Sequence, residues 1–365
     1  MAGGAGDGRS LLAPARGEGW RSAPRAAADA RANEVAPGLW SLRLPLPYLA
    51  PAVVNCYLVA LEEGWWLIDC GSHLPPGIDS LEHALGGAGV ELSQVRRLLC
   101  THSHSDHAAL ASIVIERSGC RYLRGAGADV ATDVLRDPSV TLERRRELGR
   151  RAGVPAGELD GWVDNLLEGD CTHPRPAADQ TVVDGDLLAS AVGDWLVIEA
   201  GGHSPSQVVL HNAQHGWLIC ADLAFPGVAP YLECGWTEDP FEEHLTALTR
   251  CAELPVSLLL PGHGRPDPNA RERLLETRAV MEAHAEHVLA LLGSARRTPF
   301  EIAVELLTPE VDADLCQAAL ATVVAVLEHF ERLGAVASSS DAAGVQRFER
   351  VAQAPVAAPA AAPAA

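Results

Sequence analysis

Short apolar runs separated by glycine and proline dominate the chain up to about residue 265. Residues 55–59 and 65–68 are two such runs, and the turn-forming residues 62–64 between them predict a β-hairpin. Residues 208–210 and 217–220 predict a second hairpin in the same way. Strands of this kind, with helical stretches between them, indicate a layered α/β architecture.

After about residue 270 the spacing of the apolar residues becomes helical. Residues 272–292 predict one long amphipathic helix. Thr298 and Pro299 open another helix, because proline is favoured in the first helical turn. Residues 313–333 predict one or two further helices, and residues 334–348 predict a two-stranded hairpin. Helices followed by such a hairpin are typical of a winged-helix-like domain.

These patterns divide the chain into two domains and two tails. We expect a main domain over residues 35–292 and a small C-terminal winged-helix-like domain over residues 293–350. Residues 1–34 are rich in glycine, alanine and arginine, and residues 351–365 in alanine and proline, so both are expected to be disordered tails. A polar, helical-looking insertion interrupts the main domain at about residues 129–179.

The insertion has two interpretations. Leu159, Trp162 and Leu166 fall on one face of an amphipathic helix. They form either a lid, with Trp162 facing the substrate, or a helical pair packed on the core. The charged helix over residues 142–151 is expected to face water, unless Arg144–Arg146 meet an anionic carrier.

Composition and charge narrow the possible partners. The formal net charge of −20 disfavours loose binding to nucleic acid or to anionic membranes. No run of about 18 uncharged apolar residues predicts a transmembrane helix. The nine cysteines form no CxxC pair and are expected to be reduced thiols. We therefore expect a cytoplasmic protein that has neither nucleic acid nor a membrane as its partner.

The densest cluster of metal-ligand residues is the run Thr-His-Ser-His-Ser-Asp-His at residues 101–107. It lies between a predicted strand and a predicted helix. His102 and His104 are two residues apart, so both imidazoles can point the same way from an extended loop. Asp106 and His107 lie at the start of the helix, where the helix dipole favours a carboxylate.

Three further residues of the same kind stand just past the ends of predicted strands. His203 follows the strand 196–198, Asp222 follows the strand 217–220, and His263 follows the strand 258–260. Loops at one edge of a sheet can gather such side chains around one point. Histidine and aspartate ligands without cysteine suit Zn²⁺, and also Mn²⁺ or Fe²⁺.

The order and spacing of these motifs resemble those of the metallo-beta-lactamase superfamily over roughly residues 35–268. The motifs that carry the resemblance are Thr101–His107, Gly202-His203-Ser204-Pro205, Asp222 and Pro261-Gly262-His263-Gly264. The resemblance implies an αββα sandwich, in which two facing sheets lie between outer helices.

The resemblance also implies a site for two divalent metal ions. One ion would be held by three histidines, namely His102, His104 and His203. The other would be held by Asp106, His107 and His263. Asp222 would bridge the two ions. Asp69 matches an acid of the family that is structural or supports a ligand.

Within the superfamily, the chain is most similar to the glyoxalase II-like and beta-lactamase-like protein 2-like branches, and the latter carries a C-terminal winged-helix module. Two positions depart from the usual pattern. Ala221 stands where the family often has glycine before the bridging aspartate. Ala200 begins Ala-Gly-Gly-His, where the family often has Thr-Pro-Gly-His. Neither change removes a ligand.

Two ions bridged by Asp222 would share a water whose pKa falls toward neutrality, which gives a hydroxide nucleophile. Asp106 can hold that nucleophile and receive its proton, so it is the expected catalytic residue. Zn²⁺ is the expected metal. We predict a dinuclear hydrolase of a small acyl substrate, either a thioester or a lactone.

Two alternatives remain open, a single-strand endoribonuclease and an iron-dependent, persulfide dioxygenase-like oxidoreductase. The intact ligand set argues against a metal-free binding protein. The helix over residues 318–333 contains Glu328 and Glu331 but Arg332 as its only basic residue other than a histidine, which does not favour RNA binding. Its apolar residues 319–327 indicate burial or a homodimer contact instead.

Overall fold

The computed structural model describes residues 25–47, 51–127, 138–160, 176–225, 229–307 and 313–351. Within these ranges, no helix is long and apolar enough to cross a membrane. Most of both expected tails lies outside the described residues. The tail expected over residues 1–34 is nevertheless too long, because the first strand already begins at Arg31, which pairs with Arg43 of the next strand.

The first sheet has seven strands, which follow one another in sequence order. They are β1 (Arg31–Ala36), β2 (Leu39–Pro45), β3 (Val53–Ala60), β4 (Trp65–Ile68), β5 (Val95–Cys100), β6 (Arg121–Gly125) and β7 (Gln180–Val182). Strands β1 to β4 pair antiparallel, whereas β4 to β7 pair parallel. The first predicted hairpin is confirmed as β3 and β4, and Gly64 has the positive φ (+82°) that the turn requires.

The second sheet has five strands in the order β12-β11-β10-β9-β8. They are β8 (Leu187–Leu188), β9 (Trp195–Glu199), β10 (Val208–Asn212), β11 (Trp217–Ala221) and β12 (Leu258–Pro261). The second predicted hairpin is confirmed as β10 and β11, which pair antiparallel. Strand β12 runs parallel to β11. The carboxyl ends of β9, β11 and β12 therefore meet at one edge of this sheet.

Helices lie on the outer faces of both sheets, in the loop after β5 and in the C-terminal part of the chain. They are α1 (Gly77–Gly87), α2 (Ser105–Ala108), α3 (Ala111–Ser118), α4 (Pro138–Ala152), α5 (Pro240–Ala252), α6 (Ala270–Leu292), α7 (Pro299–Leu306) and α8 (Ala313–Arg332). Leu81 of α1 and Val114 of α3 share an apolar cluster with the first sheet. Leu248 of α5 and Leu274 of α6 share another with the second sheet.

A third apolar cluster fills the space between the two sheets. Trp66 of the first sheet and Trp195 of the second are fully buried there, and their rings meet edge to face with centroids 6.3 Å apart. Burial of two large aromatic side chains is a major contribution to the stability of such a core. The layers therefore run helix, sheet, sheet, helix, and the expected αββα sandwich is confirmed.

Helix α4 belongs to the predicted insertion, and residues 156–160 are also helical. Leu142 and Leu148 pack against the cluster beside the second sheet, and Arg151 lies 3.5 Å from Glu328 of α8. The helix therefore lies against the C-terminal part of the chain and does not simply face water. Trp162 and Leu166, on which the lid interpretation depends, lie outside the described residues.

The C-terminal part consists of helices α7 and α8 and a hairpin of β13 (Val336–Ser340) and β14 (Gln346–Arg350). Thr298 caps α7 as predicted. Its hydroxyl accepts a hydrogen bond from the Glu301 amide at 3.2 Å, and the Glu301 carboxylate accepts one from the Thr298 amide at 2.8 Å. Phe348 of the hairpin is fully buried. The structure thus contains the predicted hairpin, and the winged-helix assignment stays a prediction.

Residues 320–327 of α8 are buried inside the chain. All of them except Ala321 and Thr322 belong to the same apolar cluster as Leu248 of α5 and Leu274 of α6. Of the two roles expected for this run, the structure therefore shows burial. The homodimer contact stays a prediction.

Candidate metal centre

The seven predicted ligand residues all come together at one edge of the sandwich. His102 to His107 follow β5, and α2 starts within that run. His203 follows β9, Asp222 follows β11 and His263 follows β12. The two sheets face each other, so loops from both supply side chains to the same point. Three overlapping groups of ligand atoms form, and within each group the atoms lie within 4.8 Å of one another.

The first group contains the imidazoles of His102, His104 and His203. His102 Nε2 lies 2.9 Å from His104 Nδ1. The His104 and His203 rings meet edge to face with centroids 4.5 Å apart. Three histidines that converge in this way are a typical site for a transition-metal ion.

The second group contains Asp106, His107 and His263, and a third joins His102, His107 and Asp222. His263 Nε2 lies 3.2 Å from an Asp106 oxygen. One oxygen of Asp222 lies 3.4 Å from His107 Nε2. Its other oxygen lies 3.4 Å from His203 Nε2 and 3.3 Å from His263 Nε2. Asp222 thus faces a histidine of the first group and histidines of the second.

Buried atoms without partners show that a cation fits this cluster. His107 Nε2, His203 Nε2 and Asp222 Oδ1 are buried and make no hydrogen bond with the described residues. A buried polar atom without a partner costs about 1–3 kcal/mol. His203 belongs to the first ligand group and His107 to the second, and Asp222 faces both, so a divalent cation bound in each group would satisfy these atoms.

The outward nitrogens of these histidines are held by the protein. His107 Nδ1 lies 2.8 Å from an Asp69 oxygen, His203 Nδ1 donates to the Tyr231 carbonyl at 2.9 Å, and His263 Nδ1 donates to the Val53 carbonyl at 2.8 Å. Such contacts fix the tautomer, so that Nε2 presents a lone pair to the site.

The Asp69 carboxylate contacts two residues of the site, Thr101 and His107. Its carboxylate accepts hydrogen bonds from the Thr101 amide at 2.7 Å and the Thr101 hydroxyl at 2.9 Å, in addition to the contact with His107. Its backbone has a positive φ of +60°, which is uncommon outside glycine. The structure therefore places Asp69 behind the ligands, where it orients the loop after β5.

Burial and neighbouring histidines keep two members of the cluster neutral. Burial, together with His107 and His104, holds the pKa of His102 well below its ordinary value. Burial, together with His203, also lowers the pKa of His104. A neutral imidazole has the free lone pair that a metal ion requires.

On the other side of the cluster, the carboxylates raise the pKa of a histidine, whereas burial and histidine neighbours lower those of His102 and His104. Burial alone would lower the pKa of His263, but Asp222 and Asp106 outweigh it and raise that pKa to about 10. Burial would raise the pKa of Asp222, but His263 and His107 outweigh it and hold that pKa well below its ordinary value. The buried carboxylates are therefore ionised and need positive charge, which a metal ion supplies by displacing protons from the histidines.

Sequence patterns did not indicate two residues that contact His104. Glu233 Oε1 lies 3.1 Å from His104 Nε2, and the Tyr231 hydroxyl lies 2.7 Å from the same nitrogen. Burial raises the pKa of Glu233, but the contact with His104 outweighs it and lowers that pKa. Both residues lie in a loop without a ligand motif, and only the fold brings that loop to the site.

The arginines of the insertion are already engaged within the chain. Arg144 lies over the Trp236 ring at 4.3 Å, and Arg145 lies 3.5 Å from Glu233. Arg146 pairs with Glu143 and Asp160 at 3.4 and 3.3 Å. The suggestion that the three arginines bind an anionic carrier stays a prediction.

A family model described as the metallo-beta-lactamase superfamily matches residues 49–263, which contain every residue of the cluster. The chain belongs to the metallo-beta-lactamase superfamily. Among solved structures, a metallo-beta-lactamase family protein from Thermus thermophilus is 26% identical, with a TM-score of 0.77 over 87% of this chain and 100% of that one. A beta-lactamase domain protein from Burkholderia ambifaria is 24% identical, with a TM-score of 0.76 over 90% and 96%.

Sequence relatives differ in how much of the chain they match. A probable metallo-hydrolase of Bacillus subtilis is 23% identical over 75% of this chain and 86% of its own length. A hydroxyacylglutathione hydrolase of Rhodospirillum rubrum is 30% identical over 35% of this chain and 54% of its own. One of Bdellovibrio bacteriovorus is 33% identical over 23% and 32%. The latter two matches are partial, and the expected glyoxalase II-like branch is not confirmed.

Ala221, which stands where the family often has glycine, has a left-handed backbone with φ +47°. We expect Ala221→Gly to leave the free energy of unfolding unchanged or to raise it by up to about 1 kcal/mol. Relief of the left-handed strain is worth about 1–2 kcal/mol, whereas one buried methyl group contributes about 0.8 kcal/mol. Chemical denaturation of the metal-free protein measures the difference.

Ala224→Gly is the matched control for this substitution. Ala224 is equally buried, and its φ is not positive. Its replacement removes a methyl group and relieves no strain, so a loss of about 1 kcal/mol is expected. Equal losses in the two variants would show that Ala221 is not strained.

Proposed function

We propose that the protein is a dinuclear metal-dependent hydrolase that acts on a small acyl substrate, either a thioester or a lactone. The observation that carries the proposal is the position of Asp222, whose two oxygens face histidines of both ligand groups. A carboxylate in this position can bridge two ions. Membership of the metallo-beta-lactamase superfamily and the match to a probable metallo-hydrolase support the hydrolytic reaction.

The cluster divides naturally between two ions. His102, His104 and His203 would hold one, and Asp106, His107 and His263 the other, with Asp222 between them. We expect Zn²⁺ in both positions, with Mn²⁺ or Fe²⁺ as alternatives. When bound, the two ions supply Lewis acidity, which activates water and polarises an acyl carbonyl.

Asp106 is the residue that we propose as catalytic. Its side chain is 16% exposed, against 6% for Asp222, so it can exchange a proton with solvent. Burial would raise the pKa of Asp106, but His107 and His263 outweigh it and hold that pKa well below its ordinary value. The carboxylate is therefore ionised at neutral pH and can orient a water by accepting a hydrogen bond from it.

Two observations support the substrate class. The partial relatives are hydroxyacylglutathione hydrolases, and a glutathione-linked acyl group is a thioester. The net charge of −20 works against tight binding of RNA.

We also propose a cytoplasmic location. The free thiols Cys56, Cys70, Cys100, Cys120, Cys220, Cys234 and Cys251 are in keeping with a reducing compartment.

Elemental analysis of protein reconstituted separately with Zn²⁺, Mn²⁺ and Fe²⁺ tests the metal centre, and about two ions per chain are expected. The loaded protein is then assayed against thioesters, lactones, a persulfide and single-stranded RNA. Acyl hydrolysis that a chelator removes and added metal restores is the expected result. Absence of bound metal would overturn the proposal. Cleavage of RNA, or oxygen consumption with the persulfide, without acyl hydrolysis would replace the acyl assignment.

A further inference from the structure

We propose that Glu233 is a positioning residue that orients His104 toward the metal centre, and that Arg145 of the inserted helix α4 holds Glu233 in place. This inference rests on the proposed metal-dependent function and extends it to residues outside the ligand motifs. In this proposal the insertion contributes a residue, Arg145, that stabilises the metal site.

The Tyr231 hydroxyl lies 2.7 Å from His104 Nε2 and 3.3 Å from Nδ1, but the other partners of the two nitrogens differ. Nδ1 lies 2.9 Å from His102 Nε2, inside the first ligand group, whereas Nε2 lies 3.1 Å from Glu233 Oε1. A carboxylate accepts the proton of Nε2, which leaves the lone pair of Nδ1 for a cation. The Tyr231 ring stacks on His104 with centroids 5.2 Å apart, and this contact restricts rotation of the imidazole.

Asp69 shows the same arrangement on the other side of the cluster, because its carboxylate lies 2.8 Å from the outward nitrogen of His107. The outward nitrogens of His203 and His263 are held by backbone carbonyls instead. Glu233 therefore gives the first ligand group the carboxylate support that Asp69 gives the second.

Arg145 links this support to helix α4. Its guanidinium lies 3.5 Å from Glu233 Oε1, the same oxygen that contacts His104. The side chains of Arg145 and Glu233 are only 24% and 12% exposed, so the pair is shielded from water. The preceding residue, Arg144, lies over the Trp236 ring at 4.3 Å. Two consecutive arginines thus hold the segment that carries Glu233.

The experiment compares metal affinity in variants of the full chain. Competition with a chromophoric chelator measures the affinity of each ion, and the visible spectrum of the Co²⁺-substituted protein reports ligand geometry. We expect Glu233→Ala to lower the affinity for one of the two ions by about 10–100-fold and to change the spectrum of the Co²⁺-substituted protein. Glu233→Gln retains an acceptor oxygen and should lie between the wild type and Glu233→Ala. Arg145→Met should shift affinity in the same direction by a smaller factor.

Helix α4 offers a matched control. Arg151 pairs with Glu328 at 3.5 Å, the same separation as Arg145 and Glu233, and neither residue is a member of the ligand groups. Arg151→Met and Glu328→Gln should therefore leave both metal affinities unchanged. Thermal unfolding of all variants without metal separates a loss of folding from a loss of metal.

Three outcomes are distinguishable. If the wild type binds no metal, the proposed function itself fails. If the wild type binds two ions and Glu233→Ala binds both with wild-type affinity, the positioning role is wrong while the proposed function stands. If Arg151→Met weakens metal binding as much as Arg145→Met does, helix α4 acts through general stability, and the specific role of Arg145 is wrong.

Discussion

Replacement of Asp222 by asparagine is expected to weaken both metal sites and to abolish hydrolysis. Asparagine has nearly the same shape but no negative charge. Three buried histidines, His107, His203 and His263, would lose the carboxylate that faces them at 3.3–3.4 Å. Loss of a contact behind a ligand already lowers metal affinity by about 10–100-fold, so loss of a shared ligand should exceed that. Elemental analysis and kcat/KM of the reconstituted variant measure the two effects.

Asp179→Asn is the control for this substitution. Asp179 also accepts a hydrogen bond, from the Tyr122 amide at 2.8 Å, and it belongs to none of the ligand groups. It should retain both ions and full activity. Circular dichroism of metal-free Asp222→Asn should show the wild-type fold, because Asp222 is not part of the apolar core. An Asp222→Asn variant that keeps two ions and turns over at the wild-type rate contradicts the bridging role.

The sequence indicated which side chains come together, because the candidate ligands lie at the ends of predicted strands. Each of His203, Asp222 and His263 follows an apolar run, and such runs predict strands without reference to the rest of the fold. In the fold, strands of both sheets end at the same edge of the sandwich. The side chains that follow these strands therefore meet there. The C-terminal hairpin was predictable for a similar reason, since a turn at residues 341–344 separates two short strands.

The supporting residues were not predictable from the sequence. Glu233 lies in a loop with no periodicity, and its contact with His104 spans 129 residues of sequence. Arg145 is one of several arginines in a charged helix, and only packing selects it to meet Glu233. The insertion was predicted as a segment, but the sequence did not indicate that its helix packs against the C-terminal part of the chain. The boundary at Arg31 was missed because a polar edge strand resembles a tail.

Gly262 leads to the second prediction, because the site leaves no room for a side chain at this position. A Cβ atom on Gly262 would lie 2.1 Å from Asp222 Oδ1 and 2.8 Å from His107 Cε1. We expect Gly262→Ala to displace the Asp222 carboxylate. A misplacement of about 1 Å in an active site can cost about 100-fold in rate. Activity should fall by at least that factor, at least one ion should be lost, and stability should fall by about 1–3 kcal/mol, as in other overpacked sites.

The loss at Gly262 should come from the methyl group and not from the backbone. Gly262 does not have a positive φ, so its backbone conformation is accessible to alanine. Gly86→Ala is the matched control, because a Cβ atom at Gly86 in helix α1 meets nothing within 4 Å. That substitution should leave metal content and activity unchanged and should raise stability by up to about 1 kcal/mol, since alanine is the better helix former. Elemental analysis, steady-state kinetics and chemical denaturation of both variants test the contrast. If Gly262→Ala binds two ions and retains wild-type kcat/KM, the carboxylate of Asp222 is not held between the metals in the way that its contacts indicate.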